Sequence, residues 1–287
     1  MSFIDHSVKG KAVDSFLDET FNELLADYGG VADPELIYED GKPPVNIIEF
    51  IESSKFLGMK ERIYSRVKQI LWQVEHGGPE GKGFKETYLE LGKGSGKTVT
   101  EQIFLTYEIY KTLCLKNPHK TLNHLASQPI VFLHCSISEK QAKAVGFAGT
   151  LAFISNCPWF RNKFQPYSTE VRFPKNIQLY CGHSGMNSWL GFPILAASLD
   201  EMNFMIDSSH RSVSEGLYRA LKGSLITRFP ETYKLLLVSS PNLEASYLHR
   251  MIKFCQRDGE EFDISQGCQK TWQELTPLEK HRFDLGL

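Results

Sequence analysis

The chain has 287 residues, 41% of them hydrophobic and 23% charged, with a formal net charge of −2; this is the composition of an ordinary globular chain with a substantial core, in one large domain or two smaller ones. The charge is uneven, with twelve acidic side chains against three lysines in residues 1–54, a net of −9, leaving +7 on the remainder. The overall charge predicts no nucleic-acid affinity, although the body without its acidic arm could face a polyanion.

No stretch approaches the roughly 18 apolar residues of a membrane span, and Met1 to His6 has no basic region followed by an apolar one, so neither membrane insertion nor secretion is expected. Six cysteines (Cys114, Cys135, Cys157, Cys181, Cys255 and Cys268) form no C-x-x-C pair and have no histidine at zinc spacing. They read as reduced, mostly buried thiols.

In chain order, Val13, Phe16, Leu17, Phe21, Leu24 and Leu25 recur at helical spacing, so residues 12–27 read as an amphipathic helix ended by Gly29 and Gly30. Pro34, Pro43 and Pro44 make residues 31–45 an extended connection, and the apolar group Ile47, Ile48, Phe50 and Ile51 fits a short helix or a strand. Residues 60–76 are helical by the spacing of Ile63, Val67, Ile70, Leu71 and Val74, with Gly77 and Gly78 as the stop. Tyr64, Gln69 and Gln73 on that helix are candidate contacts for a base, or exposed helix polars.

The stretch the rest is organised around comes next. Tyr88 to Leu91 is a short apolar strand running into Gly92-Lys93-Gly94-Ser95-Gly96-Lys97-Thr98, which opens a helix over residues 98–115. Strand, glycine-rich turn and helix is the context a phosphate cradle requires. Gly92, Gly94 and Gly96 can turn consecutive N–H groups inward on an anion, backed by the helix N-terminus. Lys97 would reach the β- and γ-phosphates, Thr98 would give its hydroxyl to Mg²⁺, and Ser95 belongs to the same loop. The first position of the usual P-loop pattern is Leu91, not glycine. Lys93 is an extra cation placed to swing toward the γ-phosphate, or a solvated loop lysine.

Residues 129–135 are a continuous apolar run of the kind buried in a parallel sheet, and Ser138 with Gln141 forms a capping box for a helix continuing to about Gly146. Val171 to Phe173 and Ile177 to Tyr180 flank Pro174-Lys175-Asn176 as a hairpin, followed by a polar loop over 182–188. The buried run 193–199 ends in Asp200-Glu201, and carboxylates at that depth need a partner. With a P-loop upstream the partner is Mg²⁺, held by Asp200, while Glu201 would polarise the attacking water. Leu217, Leu221, Leu225 and Ile226 mark a further helix, residues 233–238 a strand ending in Ser239-Ser240-Pro241, and residues 246–258 a last helix. Ser239 and Ser240 could sense a γ-phosphate, or form a plain strand-to-loop turn.

This ordered set, P-loop, second βα unit, hydrophobic run into Asp200-Glu201, and Val238-Ser239-Ser240-Pro241, resembles the large terminase subunit of tailed bacteriophages over roughly residues 60 to 275. The resemblance implies an additional-strand, RecA-like P-loop ATPase, with a doubly wound, mostly parallel α/β sheet and a small helical lid. It implies ATP and Mg²⁺ as cofactors and double-stranded DNA, a portal protein and a small terminase subunit as partners. A homo-oligomeric ring assembled on the portal, with a monomer possible in isolation, and the cytoplasm of an infected bacterium as location follow from the same likeness.

By residue, the resemblance puts Lys97 and Thr98 on phosphate and metal, Asp200 on the metal, Glu201 as catalytic carboxylate, and Ser239 and Ser240 in coupling hydrolysis to movement. Lys93 matches a position where relatives often carry arginine. Because lysine lacks the planar fork, Arg211, Arg219 and Arg228 are candidates for an arginine supplied by a neighbouring subunit. Tyr64-Ser65-Arg66 is followed by Val67 where relatives have glutamine, leaving Gln69 as substitute for the adenine.

The expected organisation is an acidic helical arm or lid at 1–58, an ATPase core at 59–245 and a lid or linker at 246–287. With 46 residues after Pro241, no nuclease domain is expected. A superfamily-2-like translocase and a nucleotide-gated interaction module with little turnover are the competing readings.

Overall fold

Three runs of mainly apolar sequence, residues 130–135, 194–199 and 235–238, become inner strands of one sheet, because a strand covered on both faces has no side that can be polar, whereas the strand before the glycine turn stands at the end of the strand order. The computed structural model describes residues 34–78, 83–183, 191–205, 213–242 and 246–256. The helix expected at 12–27, most of the polar loop at 182–188, Arg211 and Cys268 lie outside the described residues.

The strands are β1 (Glu86–Glu90), β2 (Ile130–Ser136), β3 (Gln165–Pro166), β4 (Glu170–Phe173), β5 (Ile177–His183), β6 (Ile194–Leu199) and β7 (Lys234–Ser239), in the spatial order β1-β7-β6-β2-β5-β4-β3. The first five in that order are mutually parallel, and β4 and β3 add an antiparallel edge. β7 is inserted between the strand that feeds the glycine-rich turn and the strand that ends in Asp200, which is the additional-strand arrangement expected. The hairpin of β4 and β5 is also present, and its turn uses Lys175 and Asn176 at positive φ.

Among the described residues the longer helices are α1 (Ile47–Glu52), α2 (Ser65–His76), α3 (Lys97–Cys114), α4 (Ala148–Asn156), α5 (Ser214–Arg228) and α6 (Tyr247–Gln256). α3 is buried along nearly its whole length. The ambiguous run at 47–51 is helical: Asn46 caps it, accepting from the Glu49 N–H at 2.9 Å. Its apolar side stacks on α3, with Phe50 4.8 Å from Tyr110 and 5.3 Å from Tyr107 between ring centroids. Tyr107 donates to the Val45 carbonyl and the Val45 N–H donates to Tyr110, so two hydroxyls are satisfied while residues 45–52 are fastened down.

Two helix boundaries differ from expectation. α2 starts at Ser65, because residues 60–63 form a turn whose Lys60 carbonyl is bonded by Lys68. The helix begun at Ser138 does not stop near Gly146: one α turn passes into a π-helical segment, Ala142–Phe147, and then into α4. Gly146 serves packing, since a Cβ there would land on the His134 imidazole, and Gln102 donates to the Val145 carbonyl at 3.0 Å. The described cysteines are free, and among the described residues no helix is long and apolar enough to cross a membrane.

Candidate functional site

The site lies where parallel strands end, at the carboxyl edge of the sheet, as open α/β sheets place it. β1 ends at Glu90 and the Leu91 N–H donates to the Ser239 carbonyl, so the chain leaves the sheet directly into the glycine turn. Gly94 and Gly96 have φ of 78° and 89°, a conformation that side chains disfavour. At Gly94, and at Gly92, an added Cβ would meet no atom within 4 Å among the described residues. That is open space beside the loop, room that a bound phosphate group would need.

Gly96 is constrained from the other side, where a Cβ would stand 2.7 Å from Cγ2 of Val67. α2 therefore packs directly on the loop, and Arg66 of the same turn donates to the Ser95 carbonyl at 3.3 Å. Lys97 is nearly buried and donates to the Leu91 and Gly92 carbonyls at 3.0 and 3.3 Å, which holds its ammonium over the loop. Thr98 follows, half-buried in the first turn of α3, and Lys93 is exposed at the rim. A Gly96→Ala substitution meets both the strained φ and Val67. We expect it to weaken nucleotide binding by about tenfold or more, from a strain of about 1–2 kcal/mol, measured by titration of a fluorescent nucleotide analogue.

β6 is buried along its length between β2 and β7 and delivers the two acids. The Asp200 N–H still donates to Cys135 of β2 at 2.8 Å, so its carboxyl group is fixed by sheet geometry. Asp200 is 4% exposed. Burial, and then the charge of neighbouring Glu201, push its pKa from 3.8 up to about 6. A carboxyl group that binds its proton more tightly when folded contributes stability that is complete below its unfolded pKa and is lost as pH rises through the folded value. Without divalent ions, the protein is expected to lose about 2 kcal/mol from this group between pH 4 and pH 7.5. Asp200→Asn should remove that loss, as read from urea midpoints at the two pH values.

Glu201 leaves the strand in the left-handed region, with φ of 54°. A non-glycine residue there is uncommon and held by its surroundings. Here its carboxylate accepts from the Ser240 N–H at 2.9 Å, the Ser240 hydroxyl at 3.0 Å and the Ser239 hydroxyl at 3.2 Å. The two serines thus clasp the acid, and Ser239 in turn accepts from the Asn203 N–H at 3.1 Å. The Asn203 side chain donates to Glu90 at the end of β1 and to the Ser240 carbonyl, and accepts from the Leu248 N–H of α6. His249 of α6 meets the other Glu90 oxygen at 2.7 Å. The ends of β1, β6 and β7 and the helix that follows are therefore one hydrogen-bonded unit.

The remaining sequence candidates are more dispersed. Gln69 is half-buried on α2, and Arg66 of the same helix is bonded to the loop. Arg219 pairs with Glu215 one turn away on α5. Arg228 is in the last turn of α5 and contacts Gln128, just before β2 begins, which puts it at the amino edge of the sheet and away from the loop. Arg211 lies outside the described residues.

Five residues near the site did not stand out in the sequence: Arg66, Glu101, His134, Asn203 and His249. Glu101 carried a readable signal, an acid four residues after Lys97 and hence on the same face of the helix. Arg66, His134, Asn203 and His249 depend on contacts between distant elements, and nothing in their local sequence marks them.

A protein-family profile described as the N-terminal P-loop domain of uncharacterized protein MJ0330 matches residues 17–285. No curated protein matches the chain. Among solved structures it is similar to the large terminase of bacteriophage HK97, with a TM-score of 0.56 and 15% identity over 79% of this chain and 43% of that one. It is also similar to the large terminase of a thermophilic bacteriophage in complex with ATP-γ-S, with a TM-score of 0.44 and 9% identity over 77% of this chain and 48% of that one. The likeness to the HK97 protein is one of fold, and the chain spans less than half the length of either terminase.

Proposed function

This chain belongs to the family of the MJ0330 N-terminal P-loop domain, and on that premise we propose that it is an ATP-hydrolysing motor domain of the DNA-packaging terminase kind. The observation that carries the reading is the meeting, at one sheet edge, of the glycine loop with Lys97 and the Asp200-Glu201 strand end, with Glu201 held by three hydrogen bonds. A module that only binds nucleotide has no need for a carboxylate so fixed.

In this reading the loop N–H groups and Lys97 bind the β- and γ-phosphates, and the Thr98 hydroxyl and Asp200 carboxylate would hold Mg²⁺. The metal supplies charge neutralisation on the phosphate oxygens. Glu201 orients the attacking water and takes its proton, a role that needs the carboxylate aimed before the substrate arrives. Ser239 and Ser240 fix that aim. Because they are bonded through Asn203 to α6, a shift of the acid on hydrolysis is passed to that helix, which is the coupling a motor requires. Translocation of double-stranded DNA into a procapsid, contacts with a portal and a small subunit, and assembly as a ring belong to the same proposal, supported by the fold shared with the HK97 protein.

Lys93, exposed at the loop, is a candidate cation within the chain for the transferring phosphate, and an arginine from a neighbouring subunit is the alternative. Steady-state ATP hydrolysis with Mg²⁺, measured over a range of protein concentrations, separates them. A rate per chain that climbs with concentration means a site completed by a neighbour, and a constant rate means Lys93 acts in cis. Lys97→Ala is expected to cut either rate by about 10² or more. Tight ATP binding with no hydrolysis at any concentration, with or without DNA, would overturn the motor reading in favour of a nucleotide-gated switch.

A further inference from the structure

Behind the nucleotide loop lies an acid that the function above does not use. Glu101, one turn beyond Lys97 on α3, has no solvent exposure, and among the described residues no N–H or hydroxyl donor reaches its carboxylate oxygens; the polar group it meets is another acid, Asp200. An ionised carboxylate in that state costs several kcal/mol, so it must take up a proton or a cation. Two other potential ligands face it. His134 of β2 and Asp200 at the end of β6 are 1% and 4% exposed, and one ligand atom from each of the three residues lies within 4.8 Å of the others. His134 Nδ1 is 3.7 Å from Glu101 Oε2.

Donors bound to one ion at roughly 2.0–2.2 Å stand about 3–3.5 Å apart. The three side chains can therefore close on an ion with shifts of about an ångström. Burial holds the His134 imidazole neutral, with its pKa lowered to about 4, so a ring lone pair is available at the working pH. Nδ1 now shares a hydrogen bond with Ser198 at 2.8 Å, and that hydroxyl would stay beside the ion as a neighbour. Burial, then the charge of Asp200 and a hydrogen bond with it, raise the Glu101 pKa well above its ordinary value, and Lys97 offsets this only in part.

We propose that Glu101, His134 and Asp200 form a buried site for a divalent transition ion of the Mn²⁺ or Zn²⁺ class, distinct from the nucleotide's Mg²⁺. An imidazole among the ligands favours such ions over Mg²⁺, which prefers oxygen donors and retained water. The ion neutralises Glu101 and fixes Asp200 from its inner side, leaving the other side of that carboxylate toward the glycine loop. Only the role of Asp200 toward nucleotide rests on the function proposed above.

The test uses the full chain, stripped of metal by a chelator and free of nucleotide, titrated with Mn²⁺ and followed by loss of the free-ion paramagnetic resonance signal. Stoichiometric binding is expected in wild type and in Lys97→Ala, and weakening of at least tenfold in Glu101→Gln and in His134→Gln. Should either variant fail to fold, wild-type melting decides: saturating Mn²⁺ should raise the Tm without nucleotide, and an equal concentration of Mg²⁺ should not. Absence of Mn²⁺ binding to nucleotide-free wild type, or binding unchanged in both variants, overturns the site and leaves Glu101 a protonated acid bonded to Asp200. Binding of Mn²⁺ by a chain that fails to bind ATP would sustain this site while the ATPase reading fell.

Discussion

Replacing Glu201 by glutamine is expected to leave ATP binding unchanged and to slow turnover by about 10²–10⁴-fold, the range over which a positioned general base contributes. The amide has nearly the same shape, and its carbonyl oxygen can still accept from the Ser240 N–H that holds the carboxylate at 2.9 Å. What it cannot do is take a proton from water. Binding is measured with a fluorescent ATP analogue and turnover by phosphate release. Equal turnover in the variant and wild type would remove Glu201 from the chemistry and leave its left-handed backbone, with φ of 54°, without a functional reason. A loss of binding as well as turnover would instead mean that the clasp by Ser239 and Ser240 shapes the nucleotide pocket.

The second large effect concerns stability. Glu86, at the start of β1, is fully buried and accepts from Tyr88 and Tyr218 at 2.7 Å and from Tyr233 at 2.8 Å, while Lys222 of α5 pairs with it at 2.8 Å. Three phenols and an ammonium converge on one carboxylate, so it is the group that ties α5 and the entry of β7 to the strand feeding the loop. Glu86→Ala leaves Lys222 without its counter-charge and the Tyr233 hydroxyl without its carboxylate acceptor, while Tyr88 and Tyr218 keep their mutual bond at 3.1 Å. Breaking a buried pair from one side costs about 3–5 kcal/mol, and that loss is expected in urea unfolding at pH 7. A change below about 1 kcal/mol would mean that water enters and replaces the carboxylate. Because β1 positions the glycine loop, ATP affinity should fall along with stability.

The elements of this protein were legible wherever burial is total or a turn has strict chemistry. Ile130 to Cys135, Ile194 to Leu199 and Leu235 to Val238 could be recognised as inner strands because a sheet covered on both faces admits only apolar residues. The glycine loop was legible because positive φ at Gly94 and Gly96 and a following lysine leave few other meanings. The acids at 200 and 201 stood out because carboxylates at the end of a buried strand require a partner.

Local pattern failed where a residue's role depends on what a distant element brings to it. Gly146 looks like a helix stop, yet it is a packing contact for His134, and the chain runs on through a π-helical turn to Asn156. Arg66 reads as an ordinary helix cation until α2 is laid on the loop and its guanidinium reaches the Ser95 carbonyl. Ser239 and Ser240 could be seen as hydroxyls at a strand end, but their partner, Glu201, is set by the pairing of β7 beside β6. By itself the sequence determined the sheet's inner strands, the anion-binding turn and the residue types at the site, since each follows from burial or backbone conformation along a short stretch. The clasp on Glu201, the link from Glu90 through Asn203 to α6, and the meeting of Glu101 with His134 and Asp200 were decided only by the tertiary structure, because strand order brings together side chains far apart in the chain, as far as the 159 positions between Glu90 and His249.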